Sequence, residues 1–323
     1  MDENVKKYLE MYKTMWLIRF FEETAQDFYM KDMIRGSTHS YIGEEAIAAG
    51  VCGALEKEDF ITSTHRGHGH CIAKGGELNL MMAELFGRST GYCRGKGGSM
   101  HIADIEMGNL GANGIVGGGI GLATGAAFAC KYRDDGHVAV CFFGDGAINQ
   151  GVFYESVNMA ALWHLPVIYV CERNKFAEFS YSNWYYPDQD LTKRTEPFGF
   201  KGIEVDGNDL LAVYELAKSL VSKARKGKGP FFIIANTYRI KGHTIGDPLT
   251  YRIPGEVDTW QDKDHDPIKR FKQYLLKEDL ASIDTVEQIE RDANEICTAA
   301  VEFALNSPQP SSSALMEDVY VQS

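Results

Sequence analysis

A strand, a sharp glycine turn and a helix follow one another in CFFGDGAINQGVFYES, residues 141–156. The apolar run 138–143 predicts a buried strand, Gly144-Asp145-Gly146 ends it, and a helix begins near Gly151. This order directs a helix N-terminus and the Asp145 carboxylate at the same small volume. Because helix N-termini bind anions and carboxylates bind hard cations, the stretch predicts a site for a diphosphate and a magnesium ion.

The apolar stretch LPVIYVCE, residues 165–172, predicts a second strand parallel to the first and joined to it by helix 151–163. Asn174 follows this strand as Asp145 follows the first. Open α/β sheets bind ligands at the carboxyl ends of their strands, so we expect Asp145 and Asn174 to hold one ion together with a backbone carbonyl. In the simpler alternative, Asp145 only caps the following helix and Asn174 only stabilises a turn.

The alternation of strand-like and helix-like segments predicts a doubly wound α/β fold with a mostly parallel sheet and helical N- and C-terminal extensions. The predicted strands are 59–65, 138–143, 165–172, 201–207 and 229–239. The predicted helices are 3–30, one from about 43, 76–87, 119–130, 151–163, 208–227 and a tail from about 266, with a capping box at Asp284 and Glu287. We expect one structural unit composed of an N-terminal helical segment (1–58), a diphosphate- and magnesium-binding domain (59–265) and a C-terminal helical extension (266–323).

Residues 87–120 are rich in glycine and poor in large apolar side chains. We predict an ordered binding loop rather than a disordered segment, because scattered apolar residues punctuate it and it runs directly into helix 119–130. The small residues of that helix favour close contact with another backbone, either in the sheet or across a subunit boundary. Residues 175–199 are aromatic and polar, and they predict a second irregular loop.

Net charge and cysteine usage argue against several classes of partner and location. The 323-residue chain carries a formal charge of −12 and has no basic stripe that would bind nucleic acid or an anionic membrane surface. The sequence predicts neither a signal peptide nor a membrane-spanning stretch. Seven cysteines without a CxxC pair are typical of a reduced protein, so we expect a cytoplasmic location.

Six of the nine histidines fall in predicted loops: His39, His65, His68, His70, His101 and His243. Arg66 and Arg239 are placed at the ends of predicted strands, so we expect them at the same sheet edge as Asp145. Two arginines and loop histidines beside an acidic turn favour phosphate binding and proton transfer. Zinc is the alternative, but neither the HRGHGH spacing nor any cysteine pair or HExxH motif favours it. A structural role is the simpler interpretation for three histidines: His68, His70 and His164.

The stretch GDGAINQG…ERN closely resembles thiamine-diphosphate enzymes, whose cofactor motif runs from GDG to a later asparagine. Nearly the whole chain resembles the alpha subunit of the decarboxylating first component of 2-oxo acid dehydrogenase complexes. That resemblance rests on six motifs: IRGSTHSYIGEEA, STHRGHGHCIAKG, GKGGSMHIAD, LGANGIVGGG, NMAALWHLPV and TYRIKGH…GDPLTYR. Within the group, acetoin dehydrogenase alpha subunits are most similar, on the strength of HRGHGHCIAKG, MHIAD and EDVYV.

The resemblance implies a set of cofactor contacts in this chain. The implied magnesium ligands are Asp145, Asn174 and the backbone carbonyl of Phe176. The implied diphosphate contacts are Arg66, Arg239 and His243, together with the diphosphate-binding turn at Gly146 and Ala147. His65, next to Arg66, is a further implied cofactor-binding residue.

The resemblance also implies residues on the reacting side of the cofactor. Gly114 and Val116 would receive the aminopyrimidine ring. His243 would face the reacting centre, and His39 would contact the substrate. The loop 173–186 is bulkier and more aromatic than is usual in the family, so the substrate is the least determined part of the prediction.

In enzymes of this kind the cofactor lies between two subunits, so the resemblance implies a beta subunit that completes the active site, in an α2β2 heterotetramer. The implied reaction is the cleavage of acetoin or a 2-oxo acid such as pyruvate, with transfer of the acyl or hydroxyalkyl unit to the lipoyl group of an acyltransferase component. Two alternatives retain the cofactor: a pyruvate or branched-chain dehydrogenase subunit, and an acyl transferase or ligase outside any complex. A third alternative is a non-catalytic structural partner.

Overall fold

The computed structural model describes residues 2–320. Met1 of the predicted N-terminal segment 1–58 and residues 321–323 of the predicted C-terminal extension 266–323 lie outside the described residues. Its strands are β1 (Phe60–Thr62), β2 (Ala139–Gly144), β3 (Val167–Arg173), β4 (Phe176–Ala177), β5 (Ser180–Tyr181), β6 (Ile203–Asp206) and β7 (Phe231–Asn236). Five of them form a parallel sheet in the order β1-β2-β3-β7-β6, and β4 and β5 form a small antiparallel hairpin.

The helices surround this sheet and also extend beyond it. They are α1 (Glu3–Met30), α2 (Glu45–Gly53), α3 (His68–Ala73), α4 (Leu78–Leu85), α5 (Gly118–Arg133), α6 (Gly151–Leu162), α7 (Leu210–Arg225), α8 (Glu256–Trp260), α9 (Pro267–Lys277) and α10 (Ile283–Asn306). Within residues 2–320, every helix is too short or too polar to cross a lipid bilayer.

Helices cover both faces of the sheet because its inner strands are apolar on both sides. On one face, Phe153 of α6 packs against Phe143 of β2, with 5.7 Å between the ring centroids, in a cluster that α5 completes. On the other face, Val213 of α7 and residues of α2 share an apolar cluster with Phe142. The predicted doubly wound α/β fold is therefore confirmed.

The strand register brings the carboxyl ends of β2, β3 and β7 to one edge of the sheet. Gly144 pairs with Glu172, and Arg173 pairs with Asn236. The prediction that the last strand extends to Arg239 is wrong, because the chain leaves the ladder after Asn236. The Arg239 amide nevertheless donates to the Asn174 carbonyl at 3.4 Å, which holds this arginine beside the end of β3.

The helical extensions pack on each other as well as on the α/β core. One cluster joins α1, α3, α4 and α10, and a second joins α1, α2, α7 and α9. In the second cluster the rings of Tyr12 and Phe271 lie 6.1 Å apart. These shared clusters support our proposal that the three predicted segments, 1–58, 59–265 and 266–323, form one structural unit.

Two further local predictions are wrong. His68 and His70 do not lie in a loop but on α3, where burial and hydrogen bonds to distant side chains stabilise a short helix. The cap of α10 is Ser282, whose hydroxyl accepts a hydrogen bond from the Thr285 amide at 3.2 Å. Asp284 cannot serve as the cap because it already lies inside the first turn.

The close packing of α3 against Tyr41 gives a test of the fold. A methyl group added at Gly69 would lie 2.2 Å from Cδ1 of this buried tyrosine. Because overpacking a core costs about 1–3 kcal/mol or more, we expect Gly69→Ala to lower the melting temperature of the purified chain by several degrees. In the control Gly125→Ala, the new methyl meets no atom within 4 Å and should raise the melting temperature or leave it unchanged. Equal effects of the two variants would contradict this packing.

Candidate functional site

A cavity of roughly 390 Å³ opens at the carboxyl ends of β2 and β3. Its walls come from the loop after β1, the start of α5, the turn after β2 and the segment after β7. Ten of the residues implied by the resemblance line it: His65, Arg66, Val116, Asp145, Gly146, Ala147, Asn174, Phe176, Arg239 and His243. The sheet edge predicted to bind a ligand thus carries a concave site.

Asp145 begins a short 3₁₀ turn directly after β2 and is completely buried. Its Oδ1 accepts a hydrogen bond from the Gly146 amide at 3.0 Å, and the Tyr186 hydroxyl donates to its backbone carbonyl. Its Oδ2 has no hydrogen-bond partner among residues 2–320. Burial raises the pKa of this carboxyl to about 6. Such a carboxylate is short of a positive partner.

Asn174 and Phe176 line the same cavity as Asp145. The Asn174 side-chain nitrogen donates to Glu44 Oε1 at 3.0 Å, and its Oδ1 accepts from the Phe176 amide at 3.3 Å. The carboxamide therefore presents its oxygen, rather than its nitrogen, on the side of Phe176. The structure brings together the three residues named as magnesium ligands.

Two buried guanidinium groups face the same cavity. Arg66 donates to the carbonyls of Ser40 at 2.7 Å and His243 at 2.8 Å. Arg239 donates to the Glu178 carbonyl at 2.7 Å and to the hydroxyl of Tyr251 at 2.8 Å. Burial and the nearby charge of Arg239 lower the pKa of Arg66 to about 10. Two like charges in one cavity, each fixed by hydrogen bonds to backbone carbonyls, indicate a site for an anion with several negative charges.

Three imidazoles cluster beside the arginines. The ring centroid of His39 lies 4.6 Å from that of His65 and 4.9 Å from that of His243. Burial, followed by the charge of Arg66, lowers the pKa of His39 to about 3, of His65 to about 2 and of His243 to about 4. All three rings are therefore neutral bases at neutral pH. His39 lies behind the other two rings and not among the residues that line the cavity.

The histidine cluster could in principle bind a transition metal, since ligand nitrogens of His39, His65 and His243 lie within 4.8 Å of one another. Two guanidinium groups close to the same rings oppose a cation there and favour an anion. The charges of the site therefore separate: a cation is favoured at Asp145, and negative groups are favoured at the arginines.

The glycine loops contribute backbone to the walls. A Cβ atom at Gly146 would lie 2.8 Å from the Cβ of Ala177, so only glycine fits between the turn and the hairpin. Val116 lines the cavity and is half exposed. The structure does not bring Gly114 to the cavity wall: it lies beside His101, and its neighbours Asn113 and Ile115 line the cavity instead.

Sequence reasoning missed a buried polar network in the cavity wall and behind it. Glu172 accepts hydrogen bonds from the Tyr41 hydroxyl and, at 2.8 Å, from His70, whose other nitrogen bonds Ser63 at 2.7 Å. Burial, followed by the charge of Glu172, raises the pKa of Glu44 well above its usual range. The only available signal was the carboxylate pair Glu44-Glu45 inside the apolar stretch IGEEAIAAG.

Two histidines have structural roles. His68 bonds Glu22 at 3.1 Å through Nδ1 and Ser99 at 2.9 Å through Nε2, so both of its ring nitrogens are occupied. His70 is held in the same way by Ser63 and Glu172. These contacts agree with the structural interpretation of both residues.

A sequence model of the family described as the dehydrogenase E1 component matches residues 12–313. The chain belongs to this family. It is 48% identical over 98% of its length to the alpha subunit of acetoin:2,6-dichlorophenolindophenol oxidoreductase from Bacillus subtilis (strain 168), of which it covers 94%. The corresponding protein of Cupriavidus necator is 43% identical over 97% of this chain, with 94% of that protein covered. The pyruvate dehydrogenase E1 component alpha subunit of Rhizobium meliloti (strain 1021) is 42% identical over 96% of the chain and 89% of that protein.

These comparisons confirm the resemblance to E1 alpha subunits and the predicted enzyme class, an oxidoreductase subunit acting on oxo groups. The matched residues of this E1 chain include every residue named for the site. The individual roles of those residues remain predictions that the cavity geometry supports.

The buried carboxyl of Asp145 gives a pH-dependent test. Its pKa is higher in the folded chain, so its ionisation weakens folding as pH rises from about 4 through about 6. A difference of about two pKa units corresponds to about 3 kcal/mol. We therefore expect Asp145→Asn to stabilise the cofactor-free protein against urea at pH 7.5 and to have little effect near pH 4.

The exposed Asp264 provides the control for this measurement. Asp264→Asn should leave the free energy of unfolding unchanged at both pH values. If Asp145→Asn destabilised the cofactor-free protein at pH 7.5, Asp145 would not be an uncompensated buried carboxylate.

Proposed function

We propose that this chain is the alpha subunit of a thiamine-diphosphate-dependent dehydrogenase that cleaves acetoin or a 2-oxo acid. The observation that carries the proposal is the pairing, in one cavity, of an unpartnered buried carboxylate at Asp145 with the guanidinium groups of Arg66 and Arg239. A diphosphate bound to a divalent cation satisfies both halves of this arrangement. Membership in the E1 family implies thiamine diphosphate as the diphosphate compound.

The donor set fits magnesium. Asp145 Oδ2 is unpartnered in the described chain, Asn174 presents its Oδ1, and Phe176 adds a backbone carbonyl to the same wall. Magnesium prefers such oxygen ligands and usually retains water and phosphate oxygens in the rest of its octahedron. Within residues 2–320, no cysteine or histidine lies in this part of the wall that would favour a softer metal.

The bound cofactor would supply the electron sink for cleaving the carbon–carbon bond beside the substrate's oxo group. Arg66 and Arg239 would hold the diphosphate, and their bonds to backbone carbonyls fix both guanidinium groups before the ligand arrives. This preorganisation reduces the conformational entropy lost on binding.

His243 would move protons at the reacting centre, and His39, whose ring centroid lies 4.9 Å from that of His243, would act behind it. Both rings are neutral at neutral pH, because burial and Arg66 lower their pKa values, so each can accept a proton. Their Nδ1 atoms have no hydrogen-bond partner in the described part of the chain. The Asp247 carboxylate accepts a hydrogen bond from the His243 amide at 2.7 Å and so holds its backbone in place.

Acetoin is the first substrate that we propose, and pyruvate is the second. The relatives at 48% and 43% identity are named as acetoin oxidoreductase subunits, and the relative at 42% as a pyruvate dehydrogenase subunit. Phe179 lies 5.9 Å from His243 between ring centroids and is half exposed, so it places an apolar wall beside the proposed base. Such a wall suits the methyl groups that both substrates carry.

An exposed apolar surface supports a beta-type subunit as partner. A groove between α5 and α6 is lined by Gly121, Gly125, Phe128, Met159 and Trp163, and the same two helices also expose Leu122 and Leu162. We call this surface the α5–α6 face. Contiguous exposed apolar surfaces of this kind mark protein interfaces. We propose an α2β2 heterotetramer in the cytoplasm, with a lipoyl acyltransferase as the acceptor, and seven free thiols support that location.

The cofactor proposal is tested by purifying the chain together with a beta-type subunit. Thiamine diphosphate and magnesium at one hundred times their dissociation constant should stabilise the pair by about 3 kcal/mol. The pair should reduce 2,6-dichlorophenolindophenol with acetoin or with a 2-oxo acid. Asp145→Ala should lose both effects, and Asp264→Ala should retain them. A melting temperature of the wild-type pair that does not respond to the cofactor would contradict the proposal.

The partner proposal is tested on the α5–α6 face. Phe128→Glu places a charge in an apolar contact, so we expect at least a tenfold loss of beta subunit copurified with the tagged chain. Ile283→Glu, at a similarly exposed residue in the first turn of α10, is the control and should retain the partner. Retention of the partner by both variants would place the interface elsewhere.

A further inference from the structure

Glu44 lies beneath the proposed magnesium site and is completely buried. It occupies the cap position of α2, where its amide donates to the Tyr41 carbonyl at 3.1 Å and its carbonyl accepts from the Ile47 amide at 3.0 Å. The preceding residue, Gly43, has φ +104°, and a Cβ there would lie 2.8 Å from the Tyr238 carbonyl oxygen. The backbone of Glu44 is therefore fixed against the segment that follows β7.

The Glu44 side chain has one polar contact among residues 2–320. Its Oε1 accepts a hydrogen bond from the Asn174 carboxamide nitrogen at 3.0 Å, and its Oε2 has no partner there. The neighbouring carboxylate, Glu172, is different because Tyr41 and His70 already donate to it. The mechanism proposed above uses neither Glu44 oxygen directly.

The contact bears on which end of the Asn174 amide faces the proposed metal site. A carboxamide offers an oxygen that can bind magnesium and a nitrogen that cannot, and the two ends have nearly the same shape. The bond from the Phe176 amide to Asn174 Oδ1 is 3.3 Å, long for a backbone donor, so it restrains the amide weakly. Glu44 Oε1 is the acceptor in this contact, and only the nitrogen end of the amide can donate to it.

We propose that Glu44 is a positioning residue: its hydrogen bond from the Asn174 nitrogen holds Asn174 Oδ1 toward the metal site. This inference rests on the proposed function, since it concerns the same cofactor site. It assigns Glu44 no contact with the substrate, the cofactor or the metal. Loss of a partner that orients a metal ligand in this way typically lowers metal affinity by about 10- to 100-fold.

The test measures Mn²⁺ binding to the copurified alpha–beta pair at saturating thiamine diphosphate, by electron paramagnetic resonance of the free ion and by calorimetry. Glu44→Met keeps the length of the side chain and removes the acceptor, so we expect Mn²⁺ affinity to fall by about tenfold or more. Glu44→Gln retains an acceptor oxygen and should restore affinity to within about threefold of wild type. Saturating Mn²⁺ should restore cofactor binding in Glu44→Met.

A second background separates positioning from a structural role. In Asn174→Asp both side-chain oxygens can bind the metal, so there is no amide to orient, and the new carboxylate faces Glu44. In that background Glu44→Met should leave Mn²⁺ affinity unchanged or increase it, the reverse of its effect beside Asn174. Glu44→Gln combined with Asn174→Asp should bind Mn²⁺ better than Asn174→Asp alone, because glutamine can donate to the new carboxylate.

The outcomes distinguish this inference from the proposed function. If the wild-type pair binds Mn²⁺ and thiamine diphosphate, and the Mn²⁺ affinity of Glu44→Met is within twofold of wild type, the positioning role alone would be overturned. An equal loss from Glu44→Met in both backgrounds would also overturn it, since a purely structural effect does not depend on residue 174. If the wild-type pair binds neither ligand, the proposed function and this inference would be overturned together.

Discussion

The burial of the Asp145 carboxylate is the constraint on which the site depends. β2 lies inside the sheet, so its continuation reaches the carboxyl edge beneath the loops of three other segments. Asp145 is the first residue past that edge, and one of its oxygens has no partner among residues 2–320. Burying a charge without a partner is unfavourable, so the fold itself favours a bound cation. The ionised carboxylate therefore favours cation binding but disfavours folding of the cofactor-free chain.

The other charged groups around the cavity fall into an acidic and a basic set. Glu44 and Glu172 add buried carboxyl groups to that of Asp145, whereas Arg66 and Arg239 supply buried guanidinium groups. The three imidazoles stay neutral because burial, followed by the charge of Arg66, lowers their pKa values. A cation and a polyanion bound together would leave each half of the site compensated, which a single ion cannot do.

Local sequence patterns predicted the elements that depend on nearby residues. The bounds of α1 and α6 and the placement of Asp145 and Asn174 follow from apolar periodicity and from glycine, whose effects act within a few residues. Glu44 could not be assigned, because its partner lies 130 residues away and nothing in the local pattern selects it. The helix at His68 was missed for the same reason, since Glu22 lies 46 residues away.

One helix connects the cavity to the outer surface. The cavity is lined in part by the start of α5 and the segment before it, including Val116 and Gly119. Further along the same helix, Leu122 and Phe128 are exposed on the α5–α6 face. α5 also packs on β1 and β2, so it cannot shift without disturbing the strand that leads to Asp145. A partner seated on this face would therefore hold one wall of the cavity in place while covering it. The small residues of α5 let the helix lie close to the sheet on one side, and on the other side they would let the proposed partner approach equally closely.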